Sequence, residues 1–595
     1  MKLSRLAFLA QAFSAATVYS QSLTRVIPNW LISTGIPTGI IPSFVTRTQD
    51  SSASPSVTAC PGNAPNKRAV WCNYSIDTDY ENVVPDTGKT LEYWFDIDEV
   101  TISPDGFARP VMAVNGTIPG PTLYANWGDY VVIHVTSHLE RARNGSSIHW
   151  HGMRQNSTNQ NDGVVSVTQC PLAPGQTMTY RWRAVQYGSS WYHSHIGLQA
   201  WEGVFGGIVI NGPATANYDI DKGSLFLNDW THATVDELYE FQHQNGPITL
   251  DNGLLNGTNV LGTGANSTKG SRFTMKMNQG TSYRLRLVNA AIDTHWSFMI
   301  DNHSLTVIAM DLVPIKPFTT DILRIGMGQR YDIIVEANQA SIAENFWIRA
   351  IPGASCALNY EATNIEGILY YGSAPQTPNT VGYTLTSSDT DCLDMSMTDL
   401  VPYLAKDVAA PVWNKPENVS LNHLTGPFFW EMNSTSMKIS WENPTLGQIY
   451  NNKMNFTASS GVIELPFEDE WVYLMIKTTL PVTHPIHLHG HDFSILAQGT
   501  GSYNGSVMTN NPPRRDTAML PAMGYLLLGW QTNNPGAWLM HCHIGWHIEE
   551  GFALQFIERY DDIKSLIDYN ELQSVCEPWD AYDTSANITQ IDSGV

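Results

Sequence analysis

Positive charge is scarce in this chain: 32 Lys and Arg stand against 55 Asp and Glu, a formal net charge of −23. That balance excludes the basic surface that nucleic-acid binding needs and fits an acidic, soluble, exported protein. Membrane-length apolar runs are also lacking. The run at residues 6–18, behind Lys2 and Arg5, falls short of the roughly 20 residues a span requires. It reads as a signal peptide over residues 1–20, without a membrane anchor, so the protein is expected to be secreted and extracellular. Helical periodicity is equally hard to find outside residues 561–570.

Short apolar runs separated by 45 Gly and 33 Pro take its place. Tyr130-Val131-Val132-Ile133-His134-Val135, Tyr331-Asp332-Ile333-Ile334-Val335 and Trp471-Val472-Tyr473-Leu474-Met475-Ile476 read as strands. A chain of 595 residues is too long for one ordinary domain, and 43% hydrophobic content supplies several cores. The expected class is all-β, a mainly antiparallel sandwich or barrel repeated along the chain. Asn-x-Ser/Thr sequons at Asn115, Asn144, Asn256, Asn302, Asn433 and Asn504 suit a secreted glycoprotein, although such triplets also arise by chance.

The chemistry is concentrated in His541-Cys542-His543-Ile544-Gly545-Trp546-His547. At a strand end, alternation puts His541 and His543 on one face and Cys542 on the other. Three more pairs repeat that spacing: His149 with His151, His193 with His195, and His487 with His489. His484, three residues before His487, falls on the face of Cys542. Sorting by face yields one group of eight imidazoles and a second of Cys542, His484 and His547. Two His and one Cys are the preference of a blue-copper electron-transfer site, and eight imidazoles fit a metal cluster. A lone His pair on a strand is commonly structural; four pairs beside a Cys are not. Zinc also takes Cys and His, but structural zinc has no use for eight imidazoles beside a separate three-ligand set.

An internal duplication points the same way. His193-Ser194-His195-Ile196-Gly197, followed by Glu202-Gly203-Val204, matches His541-Cys542-His543-Ile544-Gly545, followed by Glu550-Gly551-Phe552, in one register. His149-x-His151-Gly152 likewise mirrors His487-x-His489-Gly490. Ser194 stands where Cys542 does, and Gln199 where His547 does. The first copy keeps its share of the cluster and lacks the mononuclear site, so two related domains should clasp the cluster between them.

These motifs, with Trp191-Tyr192-His193-Ser194-His195 and His484-Pro485-Ile486-His487-Leu488-His489, resemble those of the multicopper oxidases, specifically ascomycete-type fungal laccases. The resemblance covers roughly residues 60–595. It implies three consecutive cupredoxin-like Greek-key β-barrel domains and four copper ions. The expected layout is a leader at 21–59, domains at 60–213, 214–380 and 381–560, and a tail at 561–595. The middle domain has His232, His243, His295 and His303 but no His-x-His, so it should hold no copper. Surface or hydrogen-bonded positions are expected for these four, with His295 a possible pocket residue. Carried over by motif, type 1 copper would be held by His484, Cys542 and His547, and type 2 copper by His149 and His487. One type 3 ion would take His151, His193 and His543, and the other His195, His489 and His541.

The same resemblance implies further roles. The axial position falls on Phe552, which cannot coordinate, although core packing would also account for a Phe there. Ascomycete members commonly carry Leu at this place, so Phe552 is a departure. Asp162 would deliver protons to reduced oxygen, or else be a turn residue in Asn161-Asp162-Gly163. Asp293 would accept the phenolic proton in a pocket with Phe428, Trp430, Val482, Trp546 and His547; the alternatives are a solvated loop carboxylate and core aromatics. Asp592-Ser593-Gly594-Val595 resembles a terminal plug of the solvent channel, against the alternative of a frayed end. Cys542 aside, six cysteines allow 15 connectivities; the resemblance suggests Cys60–Cys72, Cys170–Cys576 and Cys356–Cys392. The implied activity is oxidation of small phenols or aromatic amines by O2, in a monomer. A phenol-coupling oxidase of pigment or secondary-metabolite synthesis is the alternative, and a ferroxidase the weaker one.

Overall fold

The structure is a computed structural model that describes residues 60–140, 145–262, 269–422 and 426–595. The signal peptide, the leader and the sequon at Asn144 lie outside the described residues. Apart from three two-stranded ribbons, the strands fall into three pairs of sheets. In the first pair, Arg109–Val114, Thr90–Ile102, Tyr130–Ser137 and Thr177–Arg183 form one sheet, and Gly120–Asn126, Phe205–Asn211, Gly188–His193 and His149–His151 the other. A six-stranded sheet around Ser282–Asn289 and Arg330–Glu336 pairs with a five-stranded sheet around Asn345–Pro352. The third pair repeats that count. Its five-stranded sheet runs Val462–Leu465, Ala553–Glu558, Gly536–Cys542, His484–Leu488, Thr517–Leu520.

In one sheet of each group a parallel pair interrupts the antiparallel ladder at the same place. Thr90–Ile102 runs parallel to Tyr130–Ser137, Ile220–Trp230 to Ser282–Asn289, and Trp413–Leu421 to Trp471–Thr478. Such pairs arise where strands distant in sequence return to lie side by side, as Greek-key connections require. A second shared mark is a left-handed Asn at the same turn, Asn115, Asn256 and Asn433 with φ of 52°, 49° and 48°. Each is closed by a bridge to a following Thr: Val114 to Thr117, Leu255 to Thr258, Met432 to Thr435. The fold is all-β, built of cupredoxin-like Greek-key domains.

Burial separates ordinary strands from those that build the site. Tyr130–Ser137 alternates between buried and more exposed positions, as a sheet with one wet face does. Gly188–His193, His484–Leu488 and Gly536–Cys542 are buried at every position, because protein covers both faces. Phe95, Ile133 and Val135 anchor the first core. Leu287, Phe298, Leu474 and Phe493 belong to one apolar cluster joining the second and third groups. Each such side chain contributes about 1.5–3 kcal/mol relative to exposure.

The tail differs from expectation. The helical signal at 561–570 straddles a break, and the longer helix is Tyr569–Ala586. Asp568 caps it, accepting from Asn570 N and Glu571 N, and Pro578 in its interior masks it from sequence reading. Cys576 on this helix is bonded to Cys170; Cys60–Cys72 and Cys356–Cys392 are the other disulfides, leaving Cys542 free and buried.

Candidate metal centres

Register brings the histidines together. His149 lies opposite His193, and His487 opposite His541, on adjacent antiparallel strands. Their i+2 neighbours share the same face. The rings of His151, His193 and His543 have centroids 5.0–5.7 Å apart. Those of His195, His489 and His541 are 5.2–5.3 Å apart. His149 and His487, 6.0 Å apart, pack on the other rings, at 4.0 Å from His489 and 3.8 Å from His151 respectively.

The second set meets on the opposite face. Cys542 Sγ is 3.5 Å from His547 Nδ1 and 3.8 Å from His484 Nδ1, and the two nitrogens are 3.3 Å apart. Residue 552 belongs to this site: the Phe552 ring sits 5.0 Å from His484 and stacks on Trp430 at 5.6 Å, and its N–H donates to His547 O at 2.9 Å. Phe552 is thus both core and the wall beside Cys542, His484 and His547.

The protein atoms fit bound metal. Nδ1–H of His149, His193, His487, His489 and His541 donates to Asp162 O, Ser194 O, Asp516 O, Asp162 Oδ2 and Cys542 O, at 2.7–2.9 Å. That leaves the Nε2 atom of each ring buried without a partner. Five unsatisfied ring nitrogens converging in one interior are costly unless a cation takes their lone pairs. Burial, reinforced by neighbouring imidazoles, holds His193, His195, His489, His541 and His543 well below the usual imidazole range. Neutral imidazole is the form that binds metal.

The first copy of the duplicated unit is filled with hydrogen bonds. Ser194 Oγ and Ser146 Oγ both donate to Gln199 Oε1 at 3.0 Å. In the matching registers these three stand for Cys542, His484 and His547, so hydroxyls and an amide replace the thiolate and imidazoles.

Asp162 is no exposed turn residue. It is fully buried after the short helix Asn159–Asn161, its backbone carbonyl holding His149 and its carboxylate holding His489. Asp293 is half-buried, on a loop whose Ile292 N, Asp293 N and Thr294 Oγ1 donate to Asp229 at 2.9, 3.1 and 2.8 Å. Burial, then the Asp229 charge, pushes the Asp293 carboxyl well above the usual carboxylate range. Trp430 lies 4.2 Å from the His547 ring. Trp546 is buried; Phe428 and Val482 are half-buried. A cavity of about 340 Å³ opens elsewhere, lined by Glu417, Met432, Met437 and Leu554.

The chain end is packed, not frayed. Asp592 to Val595 are all buried, Ile439 N donates to Ser593 O at 2.9 Å, and Val595 joins a core with Val164 and Leu539. Gly594 has φ of +99°, a conformation costly for residues with a Cβ. Of the middle histidines, His232 pairs with Asp105, His243 with Glu550, and His303 with Asp301 O; His295 is completely buried. Missing from the sequence reading is Asp516, whose carboxylate Oδ1 is 3.2 Å from His151 Nε2 and whose carbonyl accepts from His487. Its signal was a run of charge, Arg514-Arg515-Asp516, in a chain only 15% charged.

Multicopper oxidase signatures match residues 96–215, 221–374 and 429–562. The chain belongs to the multicopper oxidase family, whose members are copper oxidoreductases. It is similar to Laccase-2 of Botryotinia fuckeliana, 46% identical over 557 residues, covering 91% of this chain and 94% of that one. The crystal structure of the laccase from Botrytis aclada superimposes with a TM-score of 0.85 at 45% identity, over 90% of this chain and 100% of that one. Fet3p, a multicopper oxidase that functions in iron import, gives 0.72 at 25% identity, over 84% and 96%.

Proposed function

We propose that this chain is a secreted, monomeric laccase that couples one-electron oxidation of small phenols or aromatic amines to reduction of O2 to water. The observation that carries the reading is Cys542, which faces His484 and His547 while its two neighbours face the eight-imidazole interior. Four copper ions are assigned as the motifs imply. His484, Cys542 and His547 would hold type 1, and His149 and His487 type 2. His151, His193 and His543 would hold one type 3 ion, and His195, His489 and His541 the other. When bound, copper supplies one-electron redox chemistry on the substrate side and oxygen reduction on the other. Overall, four phenols each lose one electron and one proton, and one O2 takes up four of each to give two water molecules.

The chain's own residues do the rest. Buried walls exclude water from both ligand sets, and Asp162 orients two rings and stands where a proton is needed. Phe552 offers no ligand atom, so a type 1 copper bound by His484, Cys542 and His547 would have a potential above that of a Met-ligated site. Met is close enough in volume to replace it. Phe552→Met should therefore lower that potential in a redox titration and slow the oxidation of difficult phenols; an unchanged or higher potential would remove residue 552 from the axial role.

Asp293 is the proton acceptor for the phenol. Only its ionised form can accept, so phenol turnover should fall as pH drops through its raised pKa. In Asp293→Asn that acidic limb should vanish and the Michaelis constant for phenols should rise. A donor without an ionisable proton should be much less affected, and equal losses for both donor classes would make Asp293 a structural residue.

The last four residues act as a plug beside the strands that carry the ligands. Deleting residues 592–595 should change the oxygen dependence of turnover or copper retention while leaving the blue absorption intact. A truncated enzyme identical to the parent in all these would return the tail to an ordinary packed end. The test of the whole reading is oxygen uptake by the copper-loaded protein with phenols, ascorbate and ferrous iron. Phenols should support the fastest uptake; preference for ferrous iron would make it a ferroxidase.

A further inference from the structure

The middle domain lends no imidazole to either ligand set, yet its loop at residues 326–330 lies against the cluster. Gly328, at φ of +80°, approaches two ring carbons. A Cβ built there would be 2.8 Å from His543 Cδ2 and 3.1 Å from His151 Cε1. The loop is pinned from behind, with Gly328 N donating to Asn289 O at 2.9 Å and Asn289 N to Gln329 O at 3.1 Å. Gln329 Nε2 reaches across to Thr517 O at 3.0 Å.

Arg330 completes the contact. Its Nη1 and Nη2 donate to Asp516 Oδ1 and Oδ2 at 2.7 and 2.6 Å, and Nη1 also donates to Gly328 O at 3.1 Å. Both side chains are completely buried. Asp516 in turn touches His151 through its carboxylate and His487 through its carbonyl. Room for the pair comes from Gly152, where a Cβ would stand 2.4 Å from both Arg330 Nη2 and Asp516 Oδ2. The Gly that closes the first His-x-His-Gly motif is therefore needed by a partner from another domain.

We infer that the 326–330 loop is a positioning element of the trinuclear site, with Arg330 acting through Asp516 on His151 and His487, and Gly328 setting the clearance at His151 and His543. A bidentate pair fixes the Asp516 carboxylate in plane, which a single hydrogen bond cannot do. Removing the guanidinium leaves a buried carboxylate free to reorient towards the imidazoles or the metal. The inference rests on the multicopper reading of the eight imidazoles.

The test uses the full-length copper-loaded protein and three variants: Arg330→Met, Arg330→Lys and Gly328→Ala. Readouts are copper content under chelator titration, the type 2 electron paramagnetic resonance signal, the near-ultraviolet band of the coupled pair and the blue absorption. Arg330→Met should weaken type 2 copper retention by about 10- to 100-fold, as loss of an outer partner typically does, with the blue absorption unchanged. Arg330→Lys should recover only part, since an ammonium keeps the charge and not the fork. Gly328→Ala should shift the near-ultraviolet band through His151 and His543. If Arg330→Met does not fold, the other two variants decide. A parent without cluster signals would overturn the multicopper reading itself. Variants indistinguishable from a signal-bearing parent would overturn this inference alone, as would loss of blue absorption in step with the cluster signals in all three.

Discussion

Cys542→Ser should abolish the intense blue absorption and nearly all turnover while the cluster keeps its copper. Cys542 alone supplies a thiolate, and a serine hydroxyl is no substitute as a soft ligand. The side chain is fully buried, with no second cysteine free to replace it among the described residues. The cluster should survive because its imidazoles are oriented by Asp162, Asp516 and backbone carbonyls, none of which needs the sulfur. The backbone supports separation too: Cys542 N donates to Phe552 O at 3.1 Å and His543 N to Pro485 O at 2.7 Å, so serine can occupy the same strand end. Absorption and elemental copper analysis check this. A variant that stays blue would remove Cys542 from the type 1 site.

Substitution of Asp162 should have the next largest effect, and two variants separate its two tasks. Asp162→Asn keeps an oxygen that can accept from His489 Nδ1, so copper retention and the blue absorption should persist. It has no carboxylate to pass a proton, and turnover should fall by about 100-fold or more. Asp162→Ala also removes the acceptor for His489 while the backbone carbonyl still holds His149. Leaving that buried N–H unpaired should cost about 1–3 kcal/mol of stability, and copper retention should drop by about 10- to 100-fold. Turnover, chelator titration and thermal melting measure these outcomes. If Asp162→Asn turns over like the parent, Asp162 only holds rings.

The two groupings of side chains were legible because a strand has a period of two. His-x-His must present both rings on one face, and Cys542 between two such rings must present its sulfur on the other. Duplication was legible because the register of His193 to Val204 repeats without a gap, although the Ser146–Gln199 bond joins residues 53 positions apart and has no local sequence signal. Asp162 could be suspected but not distinguished from a turn residue, since Asn161-Asp162-Gly163 is a turn triplet whether or not protein covers it. Arg330 and Gly328 were not legible, and Asp516 showed only as part of a run of charge whose partners the sequence does not give. Arg330 and Asp516 meet across 186 positions of sequence, and no local periodicity encodes such a meeting. The helix Tyr569–Ala586 was masked by Pro578 in its interior, although its buried residues Leu572, Val575, Cys576 and Trp579 follow helical spacing. The disulfide pairing followed from resemblance, not from the cysteines themselves.

The central claim is that substrate oxidation on the Cys542 side is balanced by complete reduction of oxygen among the eight imidazoles. The stoichiometry of the copper-loaded protein tests it most directly, by following phenol loss, oxygen loss and peroxide in one vessel. The account predicts about four phenols oxidised per O2 consumed, with no peroxide released. A ratio of about two, with peroxide accumulating, would contradict it.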